Sequence, residues 1–243
     1  MAVDPRAAPM NLFKLLRGIE SIETEVVDQP VLLSPLERLR QRTGSDQAGF
    51  FAAEQDACAG AVSLARKWGE RHRRGECGVV VASGGRFDEL IESMASGFCR
   101  VPFNDLAAIE AAVDSRTVAI ILEPIQGENV ANPASQAYVK GVEKLCRVLN
   151  ILLIFNEARG TVGQHGGVLC EDIYGVAADI VVLGDHSNRS PRIAALLARG
   201  HACTAPIETL PGYVQAPSSV RRPTRPTHTS RAPRQFLPNG IMA

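Results

Sequence analysis

The chain has 243 residues, enough for one large domain or for one domain with unstructured ends. Apolar residues make up 45% and charged residues 21%, and the formal net charge is zero, so composition gives no reason to expect a nucleic-acid or membrane partner. No stretch approaches the ~20 apolar residues of a membrane span, and the N-terminus has Asp4 and Pro5 where a secretory signal would need an apolar run. Residues 10–18 (MNLFKLLRG) are mildly basic and amphipathic, as in a mitochondrial presequence, but the cytoplasm is the default expectation.

In chain order, residues 1–49 form an N-terminal segment with a helix near Pro35–Arg42 and little that could build a core alone. Regular patterning starts at Phe50. Residues 57–74 place apolar side chains at helical spacing and end in basic residues before Gly75, which suits a helix C-terminus. Gly78–Ser83 is a short β-branched run that predicts a buried strand. Asn104 or Asp105 can cap a helix through Val113, and Thr117–Glu123 is the next strand. A helix over 135–150 follows, then continuous apolar strands over 151–156 and 179–183.

Such strands alternating with helices define an α/β class, a mainly parallel sheet with helices on both faces. Ligands of such sheets bind beyond the carboxyl ends of the strands, so the segments after Glu123, Asn156 and Leu183 are where chemistry is expected. Residues 204–243 carry seven prolines and few large apolar groups. Five arginines against the single acid Glu208 give this segment a charge of +4, and the chain before it −4. It is expected to be a disordered tail, leaving 50–203 as the folded domain. Six cysteines without a CxxC pair are read as mostly buried thiols.

Three blocks carry a resemblance: VPFNDLAAIEAAVDSRTVAIILEPIQGE (101–128), ILLIFNEARGTVG (151–163) and YGVAADIVVL (174–183). They resemble acetylornithine and ornithine aminotransferases of class III, whose pattern is close to VPYNDLxALExAV, LLEPIQGEGG, LLIFDEVQTGxGRTG and YGVxPDIxTLAKALGGG. The resemblance implies a large domain of fold type I, the pyridoxal-phosphate-dependent transferase fold. It also implies pyridoxal phosphate as cofactor, and a dimer with the active site at its interface.

The family's chemistry needs a lysine that forms an imine with the cofactor aldehyde. Counting on from Ile180 without a gap, that position is Asp185, and a carboxylate forms no imine. The chain has just four lysines, Lys14, Lys67, Lys140 and Lys144. The family's aspartate facing the pyridine nitrogen is matched by Asn156, and the valine and glutamine that contact the ring by Ala158 and Arg159. Glu157 keeps its place. The phosphate-binding Ser-Gly-Ala-Glu segment is matched by residues 53–57 (AEQDA) with a one-residue deletion, so Glu54 and Asp56 are expected to face the phosphate. The ring-stacking Phe-His-Gly element becomes Gly84-Gly85-Arg86-Phe87, read as a plain turn that could also bind an anion. Glu128 matches a substrate-side glutamate that, in the family, pairs with an arginine of a C-terminal domain; the tail from Thr204 matches none of that domain.

The residues therefore point first to a homologue that has lost the imine lysine and is inactive. It would persist as a remnant or as an interaction partner, pairing with itself or with an active relative. The alternatives are an active transaminase, moving an amino group between acetylornithine or ornithine and 2-oxoglutarate, and an α/β binding module. For the module no GxGxxG or Walker pattern occurs.

Overall fold

The computed structural model describes residues 34–94, 96–127, 130–157, 169–184 and 194–215. The segment 10–18, Glu128, Ala158, Arg159, Asp185 and the chain beyond 215 lie outside the described residues.

Local sequence explains most helix ends. Helix α1 (Pro35–Thr43) starts at a capping box, in which Glu37 N–H donates to Ser34 Oγ at 3.2 Å and Ser34 N–H to Glu37 Oε2 at 2.7 Å. It stops at Gly44, whose φ of 62° places it in the left-handed region that glycine enters without cost. Asp105, rather than Asn104, caps α4 (Leu106–Ala112), accepting from Ala108 N–H at 2.9 Å. Asn104 instead accepts from Ser135 N–H at 2.9 Å, and Ser135 caps α5 (Gln136–Leu149). The remaining helices are α2 (Glu54–His72), α3 (Arg86–Leu90) and α6 (Cys170–Tyr174).

The strands are β1 (Gln47–Phe51), β2 (Gly78–Ala82), β3 (Phe98–Val101), β4 (Thr117–Leu122), β5 (Ile125–Gln126), β6 (Asn132–Pro133), β7 (Leu152–Glu157), β8 (Ile180–Leu183), β9 (Ala194–Ala198) and β10 (Tyr213–Val214). Eight of them form one sheet in the order β10-β1-β9-β8-β7-β4-β2-β3, while β5 and β6 make a separate ribbon. The five strands from β8 to β3 are parallel, as the continuous apolar runs implied. At the other edge β9, β1 and β10 add on antiparallel. The sheet is thus mixed, mostly parallel and covered on both faces.

Strand alternation divides the core in two. Ile120, Leu122, Leu153 and Phe155 face α5 and α6, with Tyr138, Val142 and Tyr174 packed on them. Ala119, Ile121, Leu152 and Ile154 face α2, with Ala61, Leu64 and Trp68 on that side. Burial on both faces is why these strands read as uninterrupted apolar runs.

Two expected boundaries move. The folded unit begins before residue 50, because β1 starts at Gln47 and Leu39 of α1 is fully buried. It also runs past 204: Ile207 and Leu210 are buried, Thr204 donates to Leu64 O at 2.9 Å, and β10 pairs with β1. Proline-rich composition concealed this, because two well-placed apolar side chains and a two-residue strand suffice to pin a short segment. Of the cysteines, Cys58, Cys146 and Cys170 are buried, but Cys77 and Cys99 are exposed.

Candidate functional site

The site is built where β7 ends against the start of α2. Alternation sends Ile154 and Asn156 to the α2 face and Phe155 and Glu157 to the opposite one. Asn156 is fully buried, and its Oδ1 accepts from the Cys58 thiol at 3.8 Å, while its Nδ2 has no hydrogen-bond partner among the described residues. Burial pushes the Cys58 thiol well above its usual range, with the carboxylates of Glu54 and Glu123 adding to the effect.

Glu54, one helical turn before Cys58, pairs with Arg86 Nε at 3.6 Å. Asp56 does not join it. A Cβ added at Gly212 would lie 2.5 Å from Asp56 Cβ, so that side chain is seated on the turn before β10. Asp56 therefore lies apart from Glu54, because residues two positions apart in a helix point to nearly opposite sides of it. Gln55, between them, donates to Ser93 Oγ at 2.9 Å.

The Gly84-Gly85-Arg86 turn is occupied internally. Arg86 N–H donates to Glu123 Oε2 at 2.6 Å, and a Cβ on Gly85 would sit 2.4 Å from the same oxygen. A side chain at position 85 would have to displace that carboxylate. Gln126, buried beside it, donates to Ser83 O at 3.2 Å, and Phe87 turns into the core rather than toward the strand ends.

Glu157 lies on the other face, where both carboxyl oxygens accept from Cys170 N–H, at 2.9 and 3.0 Å. It thus caps α6, a role that its place in the sequence pattern did not reveal. Complete burial pushes its carboxyl up to about 8, against the opposing effect of the Cys170 hydrogen bond.

The implied pyridoxal phosphate does not fit these residues. A protonated pyridine nitrogen needs an anion, and Asn156 offers a neutral amide. A phosphate needs a bare helix start, and that of α2 carries Glu54. Lys140 and Lys144 are exposed on α5, across the sheet from Asn156. Lys67 lies nine residues beyond Cys58, about 13 Å along α2 and toward the other end of the strands. Of the expected site residues, Asn156 is the one the structure places; Glu128, Ala158, Arg159 and Asp185 fall outside the described residues. No helix among the described residues is long and apolar enough to cross a membrane.

The family model of Aminotransferase class-III matches residues 88–199. Acetylornithine aminotransferase 2 of Bordetella pertussis is 30% identical over 182 residues, covering 69% of this chain and 46% of that relative. A succinylornithine transaminase/acetylornithine aminotransferase of Pseudomonas aeruginosa is 41% identical over 104 residues, 43% of this chain and 26% of its own length. The solved ornithine delta-aminotransferase of Plasmodium falciparum superposes with a TM-score of 0.62 at 26% identity, over 79% of this chain and 50% of that one. The chain thus spans about half the length of the relatives it matches. Motifs, sheet and matches agree that this protein is a class III aminotransferase homologue with the fold type I architecture of pyridoxal-phosphate enzymes.

Proposed function

We propose that this homologue does not transaminate and acts, if at all, by pairing with itself or with an active relative. One observation carries the reading. Within the matched residues 88–199 the only lysines are Lys140 and Lys144, both on the exposed side of α5 and separated by the sheet from the Asn156 face. An imine to the cofactor aldehyde needs an amine at that face, and the position that would supply it is Asp185. The neutral Asn156 supports the same reading, since it cannot hold a proton on the pyridine nitrogen.

The test is borohydride reduction of the full chain after incubation with pyridoxal phosphate, followed by peptide mass spectrometry. It is run beside an assay of acetylornithine, ornithine or 4-aminobutyrate with 2-oxoglutarate. The expected result is no pyridoxyl-lysine and no turnover. A lysine adduct together with turnover would overturn the proposal and return the activity named for the bacterial relatives. The pairing part is read by light scattering, where a monomer alone and in the presence of an active relative would exclude it.

A further inference from the structure

Residues 200–214 leave β9 and fold back over α2 and β1 as a strap. Ala202 is fully buried in the short helical turn Gly200–Ala202, and Thr204 donates to Leu64 O at 2.9 Å. Ile207 N–H donates to Gln47 Oε1 at 3.0 Å, Ala52 N–H donates to Gly212 O at 3.1 Å, and β10 pairs with β1. His201 stands at the root of the strap with about half of its side chain exposed. Its Nε2 lies 3.8 Å from Asp179 Oδ1, and its ring lies 5.9 Å from that of Trp68, tilted by 53°. Both neighbours are fixed by the domain. Asp179 Oδ2 accepts from Leu153 N–H at 2.8 Å, and Trp68 is buried in α2 and stacked on His72. At 3.8 Å a neutral imidazole makes no hydrogen bond, whereas an imidazolium interacts with a carboxylate at that distance and with an indole within about 6 Å. The contact thus strengthens only when His201 carries a proton.

We propose that His201 is a proton-operated latch, which when protonated bridges Asp179 and Trp68 and holds the strap 200–214 against α2 and β1. Histidine ordinarily changes charge between about pH 5 and 8, so the latch closes on the acid side of that window and releases on the alkaline side. Asp46 adds negative charge from the side of α1, accepting from Gly200 N–H at 2.6 Å. Positive charge comes from Arg40, which acts on the Cys203 thiol, from Arg199, committed to Glu171, and from Arg71 and His72 in the last turn of α2. The acids favour the proton on His201 and the cations oppose it, and among the described residues Asp179 is its ion-pair partner. Burial pushes the Asp179 carboxyl above its ordinary range, and the Leu153 hydrogen bond and His201 act against that rise. The latch controls the outer edge of β1, since β10 covers Phe50 and Phe51 there. Release bares those main-chain groups to another strand.

The experiment follows hydrogen exchange of the full chain by mass spectrometry at pH 6 and pH 8, with times corrected for intrinsic exchange. Protection of the peptide over 203–215 is expressed relative to that over β4, so that a change in global stability cancels. In wild type this ratio is expected to be about threefold higher at pH 6 than at pH 8. His201→Gln should abolish the difference by lowering the ratio at pH 6. Asp179→Asn, which keeps an acceptor for Leu153 N–H, should diminish it. His201→Arg, a cation at both pH values, should hold the strap equally at both, and His72→Gln should leave the difference in place. A wild-type ratio equal at the two pH values would overturn the latch. So would a difference that survives His201→Gln, persists in full in Asp179→Asn, is retained by His201→Arg or is removed by His72→Gln.

Discussion

The thiol of Cys58 and the amide oxygen of Asn156 meet at 3.8 Å between two fully buried side chains, joining the first turns of α2 to the end of β7. Restoring the family's aspartate here would bury a carboxylate beside a thiol that burial and the Glu54 and Glu123 carboxylates already push up, against the weaker opposing effect of Arg86. Asn156→Asp should therefore destabilise the fold by several kcal/mol at pH 8. Its buried carboxyl would titrate above the ordinary range, so the penalty should shrink as pH falls toward 5. Asn156→Leu, which removes the weak Cys58 acceptor and an amide nitrogen with no partner among the described residues, should stay within about 1 kcal/mol of wild type. Urea unfolding at both pH values checks this; an Asp variant as stable as wild type at pH 8 would contradict it.

Glu157 gives the protein a pH dependence of defined sign. Its carboxyl protonates near 8 in the folded chain and near the ordinary 4.5 when unfolded. Between these values the folded state holds the extra proton, so stability falls as pH rises. The slope from this group is at most about 1.4 kcal/mol per pH unit. The contribution is complete below 4.5 and lost above about 8. Glu157→Gln should flatten the wild-type curve across this window, as measured by the denaturant midpoint at successive pH values.

Arg199 clamps three elements. It donates to Glu171 through both terminal nitrogens, at 2.6 and 2.8 Å, and to Ala178 O at 2.6 Å and Thr43 O at 2.8 Å. Replacing Arg199 by Met leaves Glu171 largely buried without its cation, which should cost about 3–5 kcal/mol. The double replacement Arg199→Met/Glu171→Met should recover much of that loss. Additive losses in the double-mutant cycle would show that the pair is not coupled.

A helix-favouring change should fail at Gly69. Alanine gains about 1 kcal/mol in helix propensity, but its Cβ would lie 2.1 Å from Glu76 O and 2.6 Å from Val118 Cγ1. The first contact is backbone and cannot swing away. Gly69→Ala should therefore lose about 1–3 kcal/mol net, read as a lowered melting temperature.

The central strands were legible because burial on both faces leaves a continuous apolar run: β2, β4, β7 and β8 were all located from that signal. The antiparallel edge and the outer parallel strand β3 were not. AALLA of β9 has the composition of a helix, and QAGFF of β1 and FCRV of β3 are too short and mixed to show a period. In the site, Asn156 was found by its place in a motif. The Glu54–Arg86 pair and the seating of Asp56 on Gly212 were not, since each joins residues far apart in sequence that only the folded sheet brings together.

The antiparallel edge also dictates when the sheet can be completed. Strand β1 pairs with β9, matching Gln47 to Ala198 and Phe51 to Ala194, partners about 150 residues apart. During synthesis β1 therefore waits unpaired while the parallel strands β2, β4 and β7 emerge and can dock on one another. Loop closure over such a span is slow, and until β9 arrives the apolar side chains of Phe50 and Phe51 lack their final cover. Edge closure thus depends on pairings that span most of the chain, and until they form β1 presents an unpaired edge open to misassociation.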